Sequence, residues 1–275
     1  MSALWRDPAG RLGVILFGVL LALAALAPLV LPDPRAQPDI THGTLLAPSL
    51  AHLLGTDHDS RDVLSRLASG GRVSLSIATG AVALSITLGA LVGLVAGYAG
   101  GRTDAILMRL VDAALAIPRL FLLLLIVGVM QRVPLGVLIV TIGATGWFGT
   151  SRLVRAEVLR LCTMDFVRGA EALGAPRRRI VFRHLLPNVA GPLAAATTLA
   201  VGDVVLLEAG LSFLGLGVQP PTPSWGGMIF DAKPYIVTAP WISIAPGVAI
   251  LLTVLSVNLI GEALERIAGR EGLVA

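Results

Sequence analysis

The chain has 275 residues, of which 55% are hydrophobic and 14% are charged, and its formal net charge is +4. Soluble domains carry roughly 25% charged residues, so this composition indicates a membrane protein, and the small basic excess gives no indication of nucleic-acid binding. One cysteine, Cys162, excludes an intramolecular disulfide and argues against a cysteine metal site. The single lysine, Lys233, follows an alanine, so the chain cannot bind ATP through a P-loop, and any ATP energy must come from another subunit.

The first predicted span covers residues 12–31 and is long enough to cross a bilayer. Ala25-Leu26-Ala27 has the form of a signal-peptide cleavage site. The apolar run exceeds the roughly 7–15 residues of such a peptide, however, so we expect a retained span. In the polar segment 32–72 that follows, residues 62–67 predict a short amphipathic helix at the membrane surface.

The same polar segment contains a cluster of metal-ligand residue types: Asp57, His58 and Asp59, with His42 and His52 upstream. These side chains belong either to a metal site or to a solvated turn, and the second interpretation is favoured.

The remaining predicted spans cover residues 73–101, 105–130, 135–150, 191–211 and 241–259. In the first of these, small residues recur every four positions and predict a ridge that lets another helix approach closely: Ser85, Gly89, Gly93, Gly97 and Gly101. Pro118 predicts a kink within residues 105–130. The sequence therefore predicts an all-α polytopic membrane protein with six transmembrane helices.

The distribution of basic residues predicts the orientation. Six spans place both termini on one side, where fourteen arginines then lie, against six basic residues on the other side and Arg119 inside a span. Basic loops are enriched on the cytoplasmic side, so the N and C termini and the long basic loop are predicted to be cytoplasmic.

The most highly charged segment, residues 165–187, predicts a helix-turn-helix hairpin. Asp165 is expected to cap the first helix, Gly174 to stop it, and Pro187 to end the second. Phe166, Ala170 and Leu173 share one face of the first helix, and Arg168 can pair with Glu171. The apolar stripe of the second helix consists of Ile180, Val181, His184 and Leu185. From the residues alone, this unit either inserts into a partner or only fixes the membrane topology.

This hairpin resembles the cytoplasmic coupling loop of ATP-binding-cassette importer permeases, whose pattern is Glu-Ala-Ala, three residues, Gly, and a later Leu-Pro. The matching residues are Arg168, Gly169, Ala170, Gly174 and Leu186-Pro187. Arg168 stands where the family has glutamate, which leaves the role of an acid at this position in doubt.

Three other stretches are similar to the oligopeptide/dipeptide/nickel permease subfamily: residues 54–67, where Ser60 replaces a usual glycine, residues 107–118 and residues 208–226. The resemblance covers about residues 50–264 and favours the "C"-type subunit, with the type I importer permease fold. It implies a homologous "B"-type permease, two ATPase subunits and an extracytoplasmic binding protein as partners, in the bacterial inner membrane. No cofactor is expected, and ATP hydrolysis is assigned to partner subunits.

The resemblance also implies three parts of the chain: residues 1–72 with the first span, a transmembrane domain 73–264 containing the coupling loop 152–190, and a cytoplasmic tail 265–275. The expected coupling residues are Arg168, Gly169, Ala170, Glu171, Ala172, Leu173, Gly174 and Pro187. The expected outer-loop residues are Gln219, Pro220, Pro221 and Trp225.

Three charged residues in apolar segments are candidates for the translocation pathway: Arg119, Asp203 and Glu208. A charge in hydrocarbon should face the bundle interior or water. Arg119 either lines the pathway and attracts a substrate carboxylate, or pairs with Asp203 or Glu208, and Glu208 could instead anchor the outer loop. The function favoured is an importer permease, with an ion-gradient-driven transporter as the alternative; the sequence has no constellation typical of an intramembrane enzyme.

Overall fold

The computed structural model of the protein describes residues 2–130 and 133–271. Over this part of the chain the structure is helical, as predicted, and contains no β-strand. Arg132, counted above on the side opposite the termini, and residues 272–275 of the predicted tail lie outside the described residues. The helices are α1 (Ser2–Arg6), α2 (Pro8–Val30), α3 (Val63–Ala99), α4 (Gly101–Leu115), α5 (Arg119–Gly128), α6 (Leu135–Ala144), α7 (Trp147–Cys162), α8 (Asp165–Ala172), α9 (Arg177–Ile180), α10 (Leu186–Phe213), α11 (Trp225–Ala232) and α12 (Trp241–Glu271).

Five helical segments are long and apolar enough to cross a membrane: Pro8–Leu26, Val63–Ala99, Leu135–Cys162, Arg177–Phe213 and Trp241–Ile267. The described residues give the predicted six spans when α4 and α5 are counted together as one broken span. These two helices meet at an angle of 77° just before Arg119. Pro118 immediately precedes α5, so the predicted kink is confirmed.

The second span starts earlier than predicted. α3 begins at Val63, where the Asp62 carboxylate accepts a hydrogen bond from the Ser65 backbone N–H at 2.8 Å and caps the first turn. The prediction of a separate surface helix at residues 62–67 is therefore wrong. Val63 and Leu67 are buried in the protein core instead of lying against lipid.

The helix of the fifth span also starts earlier than predicted, because Pro187 does not end the hairpin. The chain continues from α9 through a π-helical turn (Val181–Leu185) into α10. In this turn the Leu186 N–H donates to the Val181 carbonyl, five residues earlier. The wider turn accommodates the missing N–H and the ring of Pro187, which would break a regular α-helix.

The small-residue ridge on α3 packs against α7. Cβ atoms added at Gly89, Gly93 or Gly97 would lie only 2.6–2.8 Å from atoms of α7. The predicted close approach is confirmed at these three positions. Gly101 has nothing within 4 Å and begins α4 instead.

The bundle has two ends, named here the hairpin end (residues 163–185) and the loop end (residues 32–62 and 214–240). α2 and α12 pack along each other, and the Arg266 guanidinium donates to the Asp7 carboxylate at 3.2 Å beside the hairpin end. The described parts of the two terminal helices therefore meet at one end of the bundle, which agrees with the predicted placement of both termini on one side.

Candidate functional site

The hairpin is packed firmly onto the membrane-spanning helices. Its inner side contributes to one buried apolar cluster, named here the hairpin core: Leu94, Val154, Val158, Leu161, Val167, Ile180, Leu185 and Val189. These residues come from α3, α7, the hairpin and α10. Ile180 and Leu185 of the predicted stripe are buried here, and Val181 and His184 are half-buried at its edge. The hairpin and these three helices therefore share one core.

The opposite face of α8 is exposed. Phe166 and Leu173, which the sequence places on one face with Ala170, both lie on this side, and Leu173 is 90% exposed. Gly169 and Ala172 beside them are exposed as well. Among the described residues, Leu173 and its small neighbours are left uncovered, whereas the Phe166 ring is tilted against that of His184, with 6.2 Å between the ring centroids.

The turn at the tip of the hairpin fixes the position of this uncovered surface. The Ala175 N–H donates to the Ala170 carbonyl at 3.0 Å, and the Gly174 N–H donates to the Glu171 carbonyl at 2.9 Å. This pair of bonds is a Schellman motif, and Gly174 adopts the left-handed conformation that the motif requires, with φ of +73°. The predicted helix stop at Gly174 is confirmed.

Two local predictions about the first hairpin helix are wrong. Asp165 is the first helical residue of α8, and the cap position is Met164, which makes no side-chain capping bond. The Asp165 carboxylate still lies in the first turn, where negative charge is favourable. Within the described part of the chain, Arg168 and Glu171 are both exposed and form no ion pair with each other.

At the loop end, Glu208 is the centre of a buried polar network. It is fully enclosed, and its two carboxylate oxygens accept hydrogen bonds from Ser74 Oγ at 2.9 Å and Ser212 Oγ at 2.7 Å. Ser212 Oγ accepts the Val218 N–H at 3.3 Å, and Ser74 Oγ accepts the Trp225 N–H at 3.2 Å. Glu208 thus joins α3 and α10 to the loop before α11, which is the anchoring role that the sequence left open.

The predicted outer-loop residues divide into a buried base and an exposed crest. Trp225 is buried and donates from Nε1 to the Leu67 carbonyl at 2.9 Å. Gln219, Pro220 and Pro221 are exposed and form the crest. The loop is therefore held at its base and presents an ordered surface outside the bundle.

A buried ion cluster lies beneath this loop. Asp57 is 3% exposed, and its Oδ2 accepts a hydrogen bond from Arg66 Nη1 at 2.9 Å, while Arg66 Nη2 donates to Asp231 at 3.1 Å. Arg61 Nε lies 3.0 Å from Asp57 Oδ2, as an ion pair without hydrogen-bond alignment. Burial lowers the pKa of the Arg61 guanidinium, and the Asp57 carboxylate opposes that shift.

This cluster corrects the expectation of a solvated turn, because Asp57 is an enclosed structural residue. Among the described residues, no group of three His, Cys, Asp or Glu side chains is arranged to hold a metal ion.

Arg119 is the first residue of α5 and lies where two membrane spans are each interrupted by a break in the helix. α4 and α5 are separated by the bend at Pro118, and α6 and α7 are separated by Thr145 and Gly146. Arg119 Nη2 donates to the Ile142 carbonyl near the end of α6 at 2.7 Å. The predicted pairing of Arg119 with Asp203 or Glu208 is not formed in the described residues.

Asp203 is exposed on α10 and forms no ion pair with Arg119 in the described structure. Two ion pairs that the sequence analysis missed connect α4 to α7. Asp104 accepts hydrogen bonds from Arg155, at 2.6 Å for the Nη2 bond, and Asp112 pairs with Arg152. These residues are too far apart in sequence for any spacing pattern to predict that they pair. The signal available in the sequence was the presence of opposite charges on the two segments.

Known proteins resemble this chain over most of its length. The family model described as "Binding-protein-dependent transport system inner membrane component" matches residues 89–269. The chain is 34% identical over 262 residues to the oligopeptide transport system permease protein OppC of Haemophilus influenzae, covering 94% of the chain and 84% of the relative.

It is 40% identical over 264 residues to the di/tripeptide transport system permease protein DppC of Pseudomonas aeruginosa, covering 93% and 86%. It is also 36% identical over 256 residues to the dipeptide transport system permease protein DppC of Alkalihalophilus pseudofirmus, covering 92% and 82%.

Proposed function

Because the chain belongs to the family of binding-protein-dependent transport system inner membrane components, we propose that it forms part of the pathway through which short peptides are imported. The chain is a permease subunit of an ATP-binding-cassette importer, whose partners include ATPase and substrate-binding proteins. The names of the relatives, which specify oligopeptides, dipeptides and di/tripeptides, support peptides as the transported class.

The proposed assembly has this chain paired with a homologous "B"-type permease. Two ATPase subunits act from the cytoplasm, and an extracytoplasmic binding protein delivers the peptide. Both termini and the hairpin are proposed to be cytoplasmic in the bacterial inner membrane. The excess of arginine on that side supports this orientation, and the contact between Asp7 and Arg266 supports placing both termini on the same side.

The proposed coupling role rests on one observation. One face of α8 is exposed, while the other side of the hairpin is buried in the hairpin core. An apolar side chain that is 90% exposed, Leu173, sits beside small residues at a rigidly closed turn. Exposed apolar surface of this kind is characteristic of an interface. Its location at the arginine-rich end of the bundle supports an ATPase subunit as the partner.

The hairpin core, which the hairpin shares with three helices, supports the proposal that movement of the hairpin is transmitted to the membrane spans. A rigid-body movement of the hairpin is expected to displace the ends of α7 and α10, because Val167 and Ile180 belong to the same buried cluster as Val158 and Val189. ATPase closure would thereby bias the two arrangements of the spans. At the other end, the crest at Gln219, Pro220 and Pro221 is proposed to contact the binding protein.

The test uses the hairpin tip in a complete importer reconstituted in proteoliposomes. Gly174→Arg is expected to abolish ATP-driven peptide uptake while membrane insertion is retained, because a Cβ added at Gly174 would meet no atom of the other described residues within 4 Å. Gly174→Asn is the matched control, since asparagine tolerates the left-handed conformation without a long side chain. Arg168→Glu is expected to be tolerated, because Arg168 makes no ion pair with Glu171 in the described structure.

Normal ATP-driven uptake in Gly174→Arg would show that the hairpin is not the coupling element. Uptake that persists in ATP-depleted but energised membranes would instead support the ion-gradient alternative, which family membership does not favour.

A further inference from the structure

Arg119 retains most of its hydrogen-bonding capacity. A guanidinium has five N–H donors, and one bond, from Nη2 to the Ile142 carbonyl, is formed in the described structure. Nε is buried without a partner. Among the described residues, no carboxylate forms an ion pair with Arg119, and Asp203 is exposed on α10. A charge inside a broken span is therefore left without a contacting counter-ion.

The surroundings of Arg119 leave room for a ligand. A cavity of about 170 Å³ adjoins the side chain and is lined by both helix interruptions, including Pro118, Thr145 and Gly146. A Cβ added at Gly146 would lie 2.7 Å from Arg119 Nη2, so the absence of a side chain there keeps this space open. Interrupted helices in the membrane are where many transporters bind their substrates.

We propose that Arg119 binds the carboxylate of the transported peptide as it crosses the membrane. This inference rests on the proposed import of peptides. A planar carboxylate matches the donor fork of a guanidinium, and every unmodified peptide carries a terminal carboxylate. Such a ligand would occupy free donors of Arg119 and supply the counter-charge that the chain itself does not place in contact.

A purely structural role does not account for the choice of arginine. Capping the Ile142 carbonyl needs one donor, which a glutamine or lysine side chain can also supply. A neutral donor would avoid the cost of a charge in a membrane span. The two roles therefore make different predictions for Arg119→Gln, which keeps a donor and loses the charge, and for Arg119→Lys, which keeps both.

The experiment measures peptide binding to the complete permease–ATPase complex in nanodiscs, without the binding protein and its own selectivity. Three probes are compared by saturation-transfer NMR on their methyl groups: trialanine, N-acetyl-trialanine and trialanine amide. The wild type is expected to bind the first two about tenfold more tightly than the amide, because the amide lacks the carboxylate. The N-acetyl peptide separates the effect of the carboxylate from that of the amino group.

Arg119→Gln is expected to bind all three probes equally weakly, and Arg119→Lys to restore part of the preference for the carboxylate. Arg109→Gln, which removes an exposed charge from α4, is the matched control and is expected to keep the wild-type preference. A wild type that does not discriminate, or an Arg119→Gln variant that still does, would overturn the proposal. ATP-driven uptake with the binding protein present, measured on the same preparations, shows separately whether the complex imports peptides at all.

Discussion

Ser60 holds a backbone conformation that suits glycine. Its φ is +62°, in the left-handed region, where a Cβ costs about 1–2 kcal/mol. This geometry explains why the resembling subfamily has glycine at this position. We expect Ser60→Gly to be more stable than Ser60→Ala by about 1 kcal/mol, measured as thermal unfolding in detergent. Both variants lose the hydroxyl that accepts the Asp39 N–H, so the comparison reports the effect of a Cβ at this position.

Equal stability of the two Ser60 variants would contradict a left-handed conformation at this residue. The sequence indicated an unusual position here through its departure from a motif. It could not give the backbone angle, because that angle depends on the tight turn from Asp57 to Arg61, where Asp57 Oδ1 accepts the N–H groups of Asp59 and Arg61 at 2.8 and 2.9 Å.

Trp225 provides a second prediction at the scale of a single residue. Trp225→Phe preserves an aromatic ring but removes the Nε1–H that satisfies the buried Leu67 carbonyl. An unsatisfied buried acceptor costs about 1–3 kcal/mol, so the variant is expected to unfold at lower temperature. Trp5→Phe is the control, because Trp5 is 51% exposed and should tolerate the change. Equal effects of the two substitutions would argue against the anchoring of the loop base through Trp225.

At the scale of the elements, the contact between α3 and α7 predicts opposite effects for two glycine substitutions. Gly93→Ala adds a Cβ 2.6 Å from the Ser151 carbonyl oxygen, a backbone atom that cannot move aside, and is expected to cost about 1–3 kcal/mol. Gly18→Ala, on an exposed face of α2 with nothing within 4 Å, is expected to be neutral or to stabilise by up to about 1 kcal/mol. Thermal unfolding of both variants tests the ridge, and a tolerated Gly93→Ala would contradict close packing there.

Helix periodicity predicted which segments are helical better than it predicted the residues at which the helices begin and end. The ridge on α3 was readable because small residues every four positions share a helix face. The start of that helix at Val63 was not readable, because Arg66 is polar in sequence yet is paired with Asp57 in the preceding loop and with Asp231 from a distant segment. The continuation through Pro187 was unreadable for a similar reason, since a π-helical turn has no signature in composition.

On the scale of the whole molecule, two apolar cores hold the helices together, one towards each end of the bundle. The main core joins α3, α10, α11 and α12 towards the loop end, and the hairpin core joins α3, α7 and α10 to the hairpin. α3 and α10 belong to both cores, so a displacement at one end has a packed route to the other. The sequence predicted the hairpin and the outer loop separately, but their mechanical connection depends on contacts between spans that no local pattern specifies.

The orientation of the molecule gives a prediction that separates its two ends. Leu50 is 99% exposed at the loop end, and Leu173 is 90% exposed at the hairpin tip, so a cysteine at either position is accessible without disturbing the core. In a Cys162→Ala background made without the ATPase subunits that are proposed to cover Leu173, Leu50→Cys is expected to react with a membrane-impermeant maleimide from the outer face of spheroplasts. Leu173→Cys is expected to react only after the membrane has been permeabilised. The reverse pattern would contradict cytoplasmic termini. The Asp7–Arg266 contact places the two terminal helices at one end, and α12 runs from the loop end towards the end at which the hairpin lies.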